Sequence, residues 1–99
     1  MTQFKAHSPA VATVMIDDRN SRVTRWDFEP GAETGFHRHG LVYVVVPVTD
    51  GTLRIEDAEG ARDVKLTAGV AYTRDAGVEH NVINGGSAHL AFVEIEIKG

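Results

Sequence analysis

Along most of the chain, apolar side chains alternate with polar ones over short runs that end in turn residues, the pattern of half-buried β-strands. In SRVTRWDFEPG, Thr24, Trp26 and Phe28 fall on one face and Val23, Arg25 and Asp27 on the other, before Pro30 and Gly31 end the run. TLRIED sets Leu53 and Ile55 against charges, DAEG (Asp57 to Gly60) turns the chain, and ARDVKLTAG returns with Val64 and Leu66 on one side. VAYTRDAG is a further short run. EHNVINGGSAHLAFVEIEIK reads as a hairpin about the turn NGGS (Asn84 to Ser87), with Val93, Ile95 and Ile97 on the apolar face of its last strand. Glu94, Glu96 and Lys98 alternate with them and are assigned to solvent. No window sustains a helical period with caps. The pattern predicts an all-β antiparallel sandwich or small barrel, with residues 1–99 forming one domain and no repeat or linker.

One run departs from the alternation. LVYVVVPV is apolar on both faces, which predicts a strand covered on one side by the barrel interior and on the other by another layer or chain. Pro47 cannot donate to a ladder and belongs at a strand edge, end or bulge.

Composition acts mainly by exclusion. The formal net charge is −4, and the Lys and Arg are dispersed among a larger number of Asp and Glu, so no basic stripe is available for nucleic acid. No apolar run approaches the ~18–20 residues of a membrane span, and MTQFKAHSPAVATV has no charged start followed by an apolar signal core. The chain is expected in the cytoplasm, with no membrane or nucleic-acid partner. It has no cysteine, hence no disulfide, thiolate nucleophile or thiolate metal ligand. Any metal must be held by imidazole and oxygen.

GFHRHG supplies the first candidates. His37 and His39 sit one residue apart, so on a strand both imidazoles share a face and Arg38 takes the other. His-x-His on a strand is more often a surface pair or a hydrogen-bonded pair than two metal ligands. A third ligand has to come from elsewhere, and His80, opening a strand after DAGVEH turns, is the candidate. Three histidines with open coordination positions suit a catalytic or substrate-binding metal.

The glycines around these histidines resemble a known framework. Gly31, five residues, then His37, Arg38 and His39, with a closing Gly51, is similar to the first motif of the cupin superfamily, and Gly69, five residues, Asp75, Ala76, Gly77, two residues, His80, three residues and Asn84 is similar to the second. The second motif ordinarily carries proline where this chain has Asp75, which here is read as shaping the turn. The motifs occupy 31–51 and 69–84. The resemblance implies a small single-domain cupin, a double-stranded β-helix or jelly-roll barrel, holding one divalent metal per chain on His37, His39 and His80. Imidazole ligation suits iron, nickel, copper and zinc, with iron implied for a dioxygenase.

The resemblance also implies a glutamate in the first motif, and this chain has none. The corresponding positions are Tyr43 and Val44, of which Tyr43 shares the parity of His37 and His39 unless Gly40 introduces a bulge. Valine cannot coordinate, and tyrosine would have to lose a proton whose ordinary pKa is about 10. Three neutral imidazoles leave the metal its full charge and favour an anionic, chelating oxygen ligand, as in the three-histidine dioxygenases of the superfamily. The alternative is a non-catalytic small-molecule binding module with a vestigial or absent metal site. Isomerase or lyase chemistry would need an acid–base residue, for which Tyr43 is the candidate, with Glu94 or Glu96, solvated by default, able to serve as a general base only if the barrel opening reaches them.

The remaining candidates are subsidiary. Trp26, Phe28, Phe36, Tyr72 and Phe92 are core or pocket lining. Arg38 and Arg74 are placed to hold an anion at the pocket mouth, with parity turning Arg38 away. His7 falls in the N-terminal segment, and His89, beside NGGS, is expected to be an exposed strand residue. The resemblance, with sheet edges and the LVYVVVPV face to cover, implies a homodimer.

Overall fold

A computed structural model describes residues 8–99, so that His7 lies outside the described residues. The strands are β1 (Val11–Asp17), β2 (Ser21–Phe28), β3 (His37–Arg38), β4 (Tyr43–Pro47), β5 (Gly51–Asp57), β6 (Gly60–Leu66), β7 (Tyr72–Arg74), β8 (Glu79–Asn84) and β9 (Leu90–Ile97). They form a five-stranded sheet in the order β1-β2-β9-β4-β7 and a four-stranded sheet in the order β3-β8-β5-β6, with antiparallel neighbours throughout. Two antiparallel sheets built from crossing connections are a jelly-roll, as the resemblance implies. No helix among the described residues is long and apolar enough to cross a membrane.

The inward faces meet in one core. Phe28, Val45, Leu53, Ile55, Leu66, Val82, Leu90 and Phe92 are all buried there, and the Phe28 and Phe92 rings lie 5.4 Å apart. The expected alternation holds in β2, where Thr24 and Phe28 are buried, and in β5, where Leu53 and Ile55 are. The β5–β6 hairpin turns between Asp57 and Gly60, as read from DAEG. Pro47 closes β4, where its missing N–H disturbs the ladder least.

Two expectations are corrected. β8 and β9 are not a hairpin: β8 pairs with β3 and β5, β9 with β2 and β4, and the NGGS turn carries the chain from one sheet to the other. Asn84 makes that crossing, donating from Nδ2 to the carbonyls of Phe28 and Ala88 and accepting at Oδ1 from the N–H of Gly86. The inward face of β9 is also the opposite one, with Leu90, Phe92 and Glu94 buried while Ile97 is exposed. The histidine pair and the run LVYVVVPV similarly part company: β3 ends at Arg38 in one sheet, and Tyr43 opens β4 in the other.

Candidate metal centre

β3 and β8 are register partners with His37 opposite His80, which brings the two motifs together at one end of the barrel. Beyond β3 the pairing continues through the N–H of His39 to the carbonyl of Val78 and the N–H of Gly77 to the carbonyl of His39. Gly77 can make this turn because its φ is +95°, a region that side chains with a Cβ rarely enter. His39 and His80 are buried and His37 half-buried.

The three ring nitrogens converge. His39 Nε2 is 2.9 Å from His37 Nε2 and 3.3 Å from His80 Nε2. Nitrogens at 2.0–2.1 Å from one ion stand about 2.8–3.4 Å apart at right-angle or tetrahedral positions. Protonation fits the same use. Burial, reinforced by the charge of His37, pushes His39 down to about 4, and burial with both neighbouring histidines does the same to His80. The carbonyl of Gly35 accepts from His37 Nδ1 at 2.8 Å, which fixes the proton there and leaves a lone pair on Nε2. With His39 and His80 held neutral and the Nδ1 proton of His37 directed to Gly35, ring nitrogens of all three residues are available at one point, and a divalent ion suits them. The donor set therefore fits the metal that the motifs imply.

Tyr43 is inward, as its parity suggested, although it stands on a different strand from the histidines. Its ring stacks on His39 with centroids 4.0 Å apart. Burial, with the charge of Glu94 adding to it, holds the phenol above its ordinary value, so Tyr43 is a neutral O–H group and not a phenolate ligand. Val44 points the other way.

The acid missing from the first motif has a counterpart that the alternation of β9 concealed. Glu94, assigned to solvent from sequence, is buried, with Oε2 3.9 Å from His39 Nε2. Burial and then the charge of Glu96 push its carboxyl up to about 7, against a hydrogen bond from Trp26. Its carboxylate groups with His39 and Glu96, and not with all three histidines, so it stands beside the triad. The signal available was the phase of Leu90 and Phe92, which continues onto Glu94.

A cavity of about 90 Å³ opens beside the triad, lined by His37, His80, Tyr43 and Glu94 together with apolar side chains. Trp26, Tyr72 and Phe92 also border it, Phe28 belongs to the core, and Phe36 is 65% exposed outside it. Arg74 reaches the cavity and Arg38 is exposed, as parity required. His89 is exposed, held between Asp27 and Glu29.

Comparison with known proteins agrees with this architecture. Residues 24–96 match the cupin domain family, and the chain belongs to it. The chain is 61% identical over 89 residues to the β-alanine degradation protein BauB of Pseudomonas aeruginosa, covering 90% of this chain and 94% of that one. A crystal structure of a cupin domain from Bordetella pertussis superposes with a TM-score of 0.94 at 52% identity, over 97% of this chain and all of that one. At 22% identity, a protein with a double-stranded β-helix domain from Klebsiella pneumoniae shares the fold at a TM-score of 0.76, over 97% of this chain and 83% of that one.

Proposed function

We propose that this chain is a metal-dependent cupin that acts on a small oxygen-bearing molecule in β-alanine degradation, and that it works as a homodimer. The observation that carries the reading is the convergence of three imidazoles, two of them buried, with His39 Nε2 2.9 Å from His37 Nε2 and 3.3 Å from His80 Nε2, separations suited to ligands of one ion. The likeness to BauB, at 61% identity over nearly the whole of both chains, supports the metabolic setting. His37, His39 and His80 would hold the metal. A divalent ion there supplies Lewis acidity and a template for oxygen ligands, and with iron the reading extends to dioxygenase chemistry. The protein's own groups shape the rest: the apolar wall limits water, the Tyr43 ring packs against His39, and Glu94 offers a carboxyl beside it to take up or return a proton.

Elemental analysis of protein purified without chelator tests the reading. About one iron, nickel or zinc per chain is expected, falling at least tenfold in His80→Ala and in His39→Ala. Full occupancy in either variant removes the three-histidine centre. Oxygen uptake by the iron-loaded protein on addition of small hydroxy and oxo acids separates dioxygenase chemistry from other metal-assisted reactions. The second reading, a non-catalytic binding module, is favoured by the absence of the motif carboxylate at Tyr43 and Val44, and it takes over if no metal binds after reconstitution.

A further inference from the structure

Two polar groups at the cavity are left without a role by the metal centre. Tyr43 is 2% exposed, and its hydroxyl is buried with no hydrogen-bond partner among the described residues. Arg74 faces the same cavity and rests on the Tyr72 ring, its guanidinium carbon 4.8 Å from the ring centroid. Arg25, Arg54 and Arg62 each pair with a carboxylate, whereas Arg74 makes no ion pair among the described residues. A buried hydroxyl without a partner is unfavourable in isolation, and the half-buried guanidinium of Arg74 beside it has donors left over for a ligand.

They are also neighbours. Tyr43 and Arg74 are direct cross-strand partners of β4 and β7, so their side chains leave adjacent points on one face of the sheet. Together they offer a phenolic O–H and the fork of N–H donors that suits a planar carboxylate. Of the two arginines lining the cavity, Arg62 is paired with Asp57, so Arg74 alone is left to match a monoanion, and the carboxyl of Glu94 in the same lining opposes a second negative charge. The cavity of about 90 Å³ limits the guest to a short chain.

We propose that Tyr43 and Arg74 form a carboxylate subsite, so that the ligand of this barrel is a short monocarboxylic acid whose far end carries the oxygen presented to the metal. The far-end assignment rests on the metal-centre reading; the carboxylate subsite does not. Arg74, already fixed by its contact with Tyr72, loses little freedom on binding and sets specificity for acid over neutral ligand.

The test is calorimetric titration of nickel-loaded and metal-free protein with 3-hydroxypropionate and with 1,3-propanediol, which is of similar length and lacks only the carboxylate. The native protein is expected to prefer the acid at least tenfold. Arg74→Gln abolishes that preference while its nickel content stays that of the native protein, Arg74→Lys retains part of it, and Tyr43→Phe weakens acid binding severalfold. If Arg74→Gln does not fold, as judged by thermal unfolding, Arg74→Lys and Tyr43→Phe carry the comparison. Equal binding of acid and diol by native protein, or an undiminished preference in both Arg74→Lys and Tyr43→Phe, overturns the subsite. The two readings fail separately. Native protein that takes no nickel but still prefers the acid loses the metal centre and keeps the subsite, and nickel-loaded protein indifferent to the carboxylate does the reverse.

Discussion

At the scale of single residues, the motif positions divide by what each can be replaced with. Gly51 closes the first motif inside β5, where a Cβ would stand 2.6 Å from Leu90 Cδ1 and 3.3 Å from its Cγ. Leu90 is 1% exposed and locked in the core, so it cannot swing aside. Gly51→Ala is therefore expected to cost about 1–3 kcal/mol by overpacking. In urea unfolding the double variant Gly51→Ala with Leu90→Ala should lose less than the sum of the singles, because the methyl then occupies space vacated by the leucine. The histidines were legible because spacing alone puts His37 and His39 on one face and the glycine framework places His80. Glu94 was not, because both parities of β9 carry apolar residues: Val93 and Ile95 on one, Leu90 and Phe92 on the other. The choice is made by β2 and β4, whose buried Thr24 and Val45 are the register partners of Glu94.

At the scale of elements, the start of β9 is tied to the end of β2 through His89, which contacts Asp27 Oδ1 and Glu29 Oε1 at 2.9 Å each. Hydrogen bonds to Glu29 and then Asp27 raise its pKa above the ordinary 6.5. The folded state thus holds the proton more tightly than the unfolded chain. The stabilisation is complete below pH 6.5 and is lost as pH rises through the raised folded value. Thermal unfolding of His89→Ala should fall below the native protein at pH 5.5 and converge with it at pH 9; a gap that is constant with pH would mean that packing, and not charge, makes this contact. The β5–β6 hairpin was readable because its turn and alternation are local in the chain. The fate of NGGS was not, since the same residues suit a hairpin or a crossing between sheets, and the partners that decide, β5 for one strand and β2 and β4 for the other, are remote in sequence. β1 escaped notice for a related reason: VATVMID is apolar at both parities, and all seven of its residues are exposed.

At the scale of the whole molecule, that exposure joins a larger surface. With Leu90, Phe92 and Glu94 turned inward, β9 presents Val93 and Ile95 outward, Val93 between Arg25 and Val46, and Ile95 between Val23 and Val44. These valines and Ile95 are only half-buried, and Val11 and Ile16 of the adjoining edge strand β1, whose register partners Asp27 and Val23 lie on the same face, are exposed. The five strands, three to eight residues long, at ~4.8 Å spacing and ~3.4 Å per residue outline a face of about 500 Å², against the ~800 Å² per partner of a standard interface. A second copy of this chain is the proposed occupant. A two-fold contact would bury the same face of both copies and shield β1, the edge strand of this sheet among the described residues. Val93→Arg places a charge at the centre of the face without entering the barrel, where burying it against the partner is costly. Sedimentation velocity should find the native protein dimeric at micromolar concentration and Val93→Arg monomeric or at least tenfold weaker in self-association, with nickel content unchanged. A native monomer would leave this face without its second copy, and a dimer indifferent to Val93→Arg would place the interface elsewhere on the barrel.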